Sequence, residues 1–123
     1  MSESRSEYYQ SHEKLDFIGV QGQLKINQAK VLVIGAGGLG CPCLMALAGC
    51  GVGTLGIADF DTISMSNLHR QMLYSPTEVG QKKVNMARKR LQTLNPGITY
   101  FEHDLLVSQE NILDLIETYN LVV

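Results

Sequence analysis

Apolar residues fall in short blocks set apart by glycine and by polar stretches. Lys30-Val-Leu-Val-Ile-Gly35 is a continuous apolar run, short, β-branched and closed by glycine, which predicts a buried parallel strand. Cys41 to Cys50 is apolar throughout and predicts a helix, with Pro42 tolerated in its first turn and Gly51-Val-Gly53 ending it. Thr54-Leu-Gly-Ile-Ala-Asp59 predicts a second strand. Gln81 to Leu94 carries Val84, Ala87, Leu91 and Leu94 at helical spacing, and Asn95-Pro-Gly97 stops it. Ile98 to Glu102 reads as a third strand. Ser108 can cap a helix to about Tyr119, with Ile112, Ile116 and Tyr119 on one face, before Leu121-Val-Val123 opens a fourth strand. Ahead of these, Gly19 to Gly22 reads as a turn and Gln23 to Gln28 as a short helix.

Strands alternating with helices predict an α/β fold with a Rossmann-like, doubly wound parallel sheet. Residues 1–18 are read as a polar N-terminal arm and 19–123 as one Rossmann-like domain. A strand this apolar leaves an edge when it closes a chain, so the sheet is expected to be truncated after the fourth strand, as the N-terminal part of a longer protein. The stretch from Phe60 to Pro76 is polar, irregular and long, with a helical turn near Asn67 to Gln71. Loops of that length often carry function.

Composition narrows the class. With 45% apolar and 18% charged residues, 123 residues are globular and make one domain. A net charge of -2 argues against nucleic acid or an anionic membrane as partner. No apolar run reaches the ~18 residues of a membrane span, and the polar N-terminus has no signal-peptide core. Cys41, Cys43 and Cys50 are odd in number and lack zinc-site spacing, which fits a reducing cytoplasm and small side chains packed early in a helix.

Chemistry gathers at the carboxyl ends of the first two strands. Gly35-Ala-Gly-Gly-Leu-Gly40 stands between strand and helix, the context a dinucleotide fingerprint requires. Gly35 permits the tight turn, Gly37 lets backbone N–H groups approach phosphate, and Gly40 lets the helix pack on the strand. Asp59 closes the next strand, where a carboxylate accepts hydrogen bonds from ribose hydroxyls. Both NAD enzymes and some ATP users carry this pattern. Arg70 can fork onto phosphate oxygens and Lys83 supplies a point charge at the start of a helix. These extra cations suit a triphosphate better than a nicotinamide cofactor. Lys82, Arg88, Lys89 and Arg90 read as a solvated helix face.

Three motifs resemble the ThiF/MoeB/HesA adenylating enzymes, relatives of the ubiquitin-activating enzymes. They are Gly35-Ala-Gly-Gly-Leu-Gly40, then Asp59-Phe-Asp61 with Ser66-Asn-Leu-His-Arg-Gln71, and then Gly80-Gln-Lys-Lys-Val84. Asn95-Pro96 adds support, and the resemblance runs from about Gly19 to Val123. It implies that ATP activates the C-terminal glycine carboxylate of a ubiquitin-like sulfur carrier, giving an acyl-adenylate and pyrophosphate, in thiamin or molybdopterin synthesis. It implies that Gly38 lies against the nucleotide, that Asp59 and Asp61 belong to the site, and that Ser66, Asn67, Leu68, His69 and Arg70 line it. Asn67, Arg70 and Lys83 would reach the phosphates, with Arg70 and Lys83 catalytic and His69 a bystander. It implies a homodimer packed near the nucleotide sites.

The chain departs from the family in three places. Ser11 stands where the family has an arginine that reaches across the dimer, and Arg5, His12 and Lys14 do not align with it. The family's principal Mg2+ ligand, an aspartate after the fourth strand, would fall past Val123. So would its zinc-binding CxxC pairs. These 123 residues alone are therefore expected to catalyse poorly or not at all. Two other classes stay open on the residues: an NAD-dependent oxidoreductase fragment, which leaves Asn67, Arg70 and Lys83 without roles, and a non-catalytic partner subunit, which Ser11 would suit.

Overall fold

The computed structural model describes residues 7–123. In chain order the elements are α1 (Gln10–Glu13), α2 (Gly19–Gln28), β1 (Lys30–Ile34), α3 (Gly40–Cys50), β2 (Thr54–Ala58), α4 (Lys83–Leu94), β3 (Thr99–His103), α5 (Ile112–Ile116) and β4 (Leu121–Val122). Single 3-10 turns at Met65–Asn67 and Pro76–Glu78 punctuate the loop between β2 and α4. The strands form one parallel sheet in the order β3-β2-β1-β4. The chain thus steps outward from β1 through β2 to β3, then returns to the far side of β1. That reversal puts the switch point between β1 and β4, and the loop leaving β1 opens beside it.

Burial explains the sequence pattern. Val31, Leu32 and Val33 of β1 are all buried, alternate side chains facing opposite sides of the sheet, so the strand is apolar without alternation. On one face Val31, Val33, Leu55 and Ile57 pack in a core with Leu44 and Ala48 of α3 and Val84, Ala87 and Leu91 of α4. On the other face Leu32 and Ala58 meet Leu115 of α5, with Leu105, Val107, Ile116 and Tyr119 around them. The doubly wound α/β fold expected from the alternation is the fold observed.

Several local expectations shift. Gly19 to Gly22 is the first turn of α2 rather than a separate turn: Gly19 takes a φ of 60° at the helix start, and the Gly22 N–H donates to the Ile18 carbonyl at 2.8 Å. The helix expected from Ser108 to Tyr119 is only Ile112–Ile116, preceded by a turn in which Asn111 Oδ1 accepts from the Ser108 N–H at 2.9 Å. The α4 stripe holds through Leu91, but Leu94 is 40% exposed.

The boundary expected at residue 18 does not coincide with a change in packing. Tyr9 is 2% exposed, its hydroxyl accepting from Asn95 Nδ2 at 2.6 Å, and the same Nδ2 donates to the Ala48 carbonyl at 2.9 Å. Gly51, which ends α3 in a left-handed conformation (φ 86°), leaves room for the Tyr9 ring: a Cβ there would fall 2.5 Å from it. The segment around Tyr9 is therefore part of the domain, whereas residues 1–6 of the expected arm, Arg5 among them, lie outside the described residues. Tyr9→Phe keeps the ring and removes the acceptor for Asn95. It is expected to cost about 1 kcal/mol, read as a fall of about 4 °C in melting temperature. An unchanged melting curve would show that the contact contributes nothing.

Candidate active site

The crevice is built from two loops that leave neighbouring parallel strands at their carboxyl ends. Residues 35–40 follow β1 and residues 59–61 follow β2, and Ile34 pairs with Ala58 to hold the two exits side by side. Gly35 has a φ of 100°, open to glycine and strained for other residues, so the chain can turn sharply out of the sheet. Its N–H donates to the Ala58 carbonyl at 2.7 Å. Gly40 starts α3 directly over Gly35: a Cβ on Gly40 would lie 1.8 Å from the Gly35 carbonyl oxygen. The helix start is thus brought within contact of the turn at the mouth of the crevice, its Cys41 N–H donating to the Gly37 carbonyl at 2.9 Å.

Asp59 ties the two loops together. Its Oδ2 accepts from the Ala36 N–H and its Oδ1 from the Asp61 N–H, each at 2.8 Å. Each oxygen keeps lone-pair capacity for another donor. Asp61 in turn faces Lys83, the first residue of α4: Oδ2 lies 3.7 Å from Nζ, and the Asp61 carbonyl accepts from the Lys83 N–H at 3.1 Å. The Lys83 side chain is 6% exposed and Asp61 is 56% exposed, so a buried ammonium is held by a carboxylate at the surface. A cleft of about 170 Å3 opens beside Asp59, lined by Gly35, Phe60 and the apolar Ile34, Leu105, Leu106 and Val107. A larger concavity of about 480 Å3 lies on the sheet face near Lys30, Thr54, Phe101 and Tyr119, away from the glycine loop and without its donors.

The stretch 66–71 approaches the glycine loop from the other side. The Arg70 side chain lies over Gly38, its Cδ and Nε 3.5 Å from where a Cβ would stand, and its Nη1 donates to the Ser66 carbonyl at 3.4 Å. Gln71 sits beside Gly37, with Nε2 3.6 Å from the corresponding point. Asn67 accepts from the Ser64 hydroxyl at 2.5 Å, and the Ser64 and Ser66 hydroxyls are 3.4 Å apart. Leu68 packs partly against the core, while Ser66 and His69 are exposed.

The sequence-predicted residues therefore gather in two places. Gly37, Gly38 and Arg70 make one. Gly35, Asp59, Asp61 and Lys83 make the other, and Gly40 forms the floor. Sequence reasoning held two residues within its motifs without giving them a role: Ala36, whose N–H is the link to Asp59, and Gln71, which is 3% exposed and whose Oε1 has no hydrogen-bond partner. A polar residue buried in the apolar Leu73-Tyr74 neighbourhood was the available signal for Gln71.

Three further observations bear on the chemistry. Burial pushes the Cys41 thiol above its ordinary pKa, so it stays protonated, while Cys43 and Cys50 are half-buried. Among the described residues no cluster of three or more His, Cys, Asp or Glu side chains is arranged to hold a metal. His12, next to Ser11, is engaged by Gln23 Oε1 at 2.8 Å.

Fold and crevice together define a Rossmann-like α/β protein with a glycine loop next to its switch point. The chain belongs to the ThiF family, whose model matches residues 9–123. It is 50% identical over 109 residues to the adenylyltransferase and sulfurtransferase MOCS3 of Culex quinquefasciatus, a match covering 89% of this chain and 25% of that protein. It is 48% identical over 104 residues to the adenylyltransferase and sulfurtransferase UBA4 of Vanderwaltozyma polyspora, covering 85% of this chain and 24% of the relative. The chain thus spans about a quarter of the length of these curated relatives. Among solved structures, Escherichia coli MccB with ATP matches with a TM-score of 0.76 at 31% identity, covering 81% of this chain and 30% of that one. The E. coli tRNA N6-threonylcarbamoyladenosine dehydratase TcdA, solved with AMP, shares the fold with a TM-score of 0.92 at 24% identity, over 98% and 49% of the two chains. No helix among the described residues is long and apolar enough to cross a membrane.

Proposed function

We propose that these residues form the ATP-binding part of an enzyme that adenylates the C-terminal glycine carboxylate of a ubiquitin-like sulfur carrier. The observation that carries this reading is the coupling of the glycine loop, through Asp59 and Asp61, to the buried Lys83, with Arg70 laid across Gly38. The names of the MOCS3 and UBA4 relatives and the ATP in the MccB structure support it.

Asp59 would accept from ribose hydroxyls with the lone pairs left after Ala36 and Asp61 are served. The base would rest on the apolar wall of Leu105, Leu106 and Val107. The loop N–H groups and the start of α3 would face the phosphates. In the reaction an oxygen of the carrier carboxylate attacks the α-phosphorus. The bond from that phosphorus to the bridging oxygen breaks, and pyrophosphate leaves with the electron pair. The nucleophile is already ionised, so no base is required, and exposed His69 is left without a chemical task. Negative charge grows on the departing phosphates. Arg70 would meet it with a planar fork and Lys83 with a point charge, released from Asp61 by the more highly charged triphosphate.

Magnesium would neutralise the phosphates further, but the carboxylates at the crevice are engaged by backbone N–H groups and by Lys83. Among the described residues they offer it no complete set of ligands. Exposed Leu39 and Met72, at 90% and 74%, flank the glycine loop and Arg70 and would suit the homodimer contact. The cytoplasm and a thiamin or molybdopterin pathway belong to the same reading.

Calorimetric titration with ATP and, separately, NAD tests it. ATP is expected to bind, with Arg70→Ala and Lys83→Ala each weakening it about tenfold, as removal of a charge-assisted contact does. Binding of NAD with ATP silent would overturn the proposal.

A further inference from the structure

We infer that Tyr74 is a positioning residue for the glycine loop, fixing the peptide between Ala36 and Gly37 so that the Gly37 N–H faces the phosphates; this rests on the ATP-binding reading above. The Ala36 peptide is held at both ends. Its N–H is taken by Asp59, and its carbonyl accepts from the Tyr74 hydroxyl at 2.7 Å. Cys41 Sγ adds a weaker donor to the same carbonyl at 3.4 Å. Ala36 itself is fully buried, so water cannot replace either partner.

The peptide plane between Ala36 and Gly37 sets the direction of the Gly37 N–H, because carbonyl and N–H of one peptide point opposite ways. With the carbonyl pinned inward to Tyr74, the Gly37 N–H is turned outward, toward the crevice mouth. Glycines resist this orientation poorly by themselves, since their backbone is the freest of all residues. A fixed partner on the preceding carbonyl removes that freedom before the ligand arrives.

Tyr74 is suited to this task. It is 6% exposed and follows Leu73, which is fully buried, so its ring is anchored in the core. Burial pushes the pKa of its hydroxyl well up, which keeps the group protonated and a donor throughout the working pH range. It also belongs to the segment that carries Arg70 and Gln71, its N–H donating to the Gln71 carbonyl at 3.2 Å. One hydroxyl thereby joins the two halves of the site: the loop that presents N–H groups and the stretch that presents the guanidinium.

The test compares Tyr74→Phe with Tyr100→Phe. Tyr100 is also buried, and its hydroxyl donates to the Leu91 and Asn95 carbonyls, away from the glycine loop. Both variants lose one buried hydroxyl, so a merely structural role would make them alike. Amide hydrogen exchange in the free chain is expected to quicken about tenfold in Tyr74→Phe at Ala36 and Cys41, whose N–H groups donate to Asp59 and to the Gly37 carbonyl, and the ATP Kd to rise about tenfold. Tyr100→Phe is expected to stay within about twofold of wild type in both. Unchanged exchange at Ala36 and Cys41 in Tyr74→Phe, an equal change in Tyr100→Phe, or a loosened loop with an unchanged ATP Kd would each overturn the inference. If the wild-type chain binds no ATP while Tyr74→Phe still loosens those two amides, the nucleotide reading falls and the control of the loop by Tyr74 stands.

Discussion

Gly40→Ala is expected to destabilise the chain by at least about 3 kcal/mol and to abolish ATP binding in the same step. The added Cβ would stand 1.8 Å from the Gly35 carbonyl oxygen and 2.7 Å from its carbon. Both are backbone atoms of a turn that is itself hydrogen-bonded to β2, so no side chain can swing away to make room. Relief requires α3 to slide off the turn, which strips the core of Leu44 and Ala48 contacts and carries the helix start away from the crevice. Two neighbours serve as controls. A Cβ on Gly38 would meet Arg70 at 3.5 Å, an ordinary contact, so Gly38→Ala should melt like wild type and weaken only ATP binding. A Cβ on Gly49 meets nothing within 4 Å, so Gly49→Ala in the interior of α3 should stabilise by roughly 0.5–1 kcal/mol. Urea denaturation with calorimetric ATP titration separates the three. A Gly40→Ala chain as stable as wild type would mean that α3 does not rest on the turn.

Asp59→Ala should lower stability by about 2–3 kcal/mol and reduce ATP affinity at least about thirtyfold. The carboxylate accepts from two backbone N–H groups on two loops, and alanine leaves both without that partner. Asp59→Asn retains one acceptor oxygen and sets an NH2 group against the other N–H. It should fall midway in stability yet lose ATP nearly as completely, because ribose hydroxyls need the acceptor that remains. The split between the two readouts is the informative result. If Asp59→Asn bound ATP like wild type, Asp59 would be a loop fastener with no hand in the ligand.

Much of this was legible in the sequence where a local rule and the tertiary fold agree. The apolar β1 run, the glycine loop and Asp59 each obey short-range rules of strand burial, tight turning and carboxylate placement. The contacts that escaped link positions far apart in the chain. Tyr9 reads as part of a polar arm because its neighbours are polar, and only the space left by Gly51 and the amide of Asn95 make it core. Tyr74 reads as one more residue of a long loop until its hydroxyl is seen on Ala36. The helix α5 is shorter than its apolar spacing predicts, and a turn that joins Ser108 to Asn111 takes the place of its first residues. At the site, sequence named Lys83 and Asp61 separately, and their pairing became visible only when α4 was laid beside the exit of β2.

The contact between Tyr9 and Asn95 also sets a timetable. The two residues are 86 positions apart, so Tyr9 leaves the ribosome long before its partner exists. At the usual pace of translation the wait is on the order of 5–15 s. Throughout it the Tyr9 hydroxyl lacks its donor, while β1, α3 and β2 can already assemble from contacts closer in sequence. The Tyr9 hydroxyl thus completes its contacts only once Asn95 has emerged.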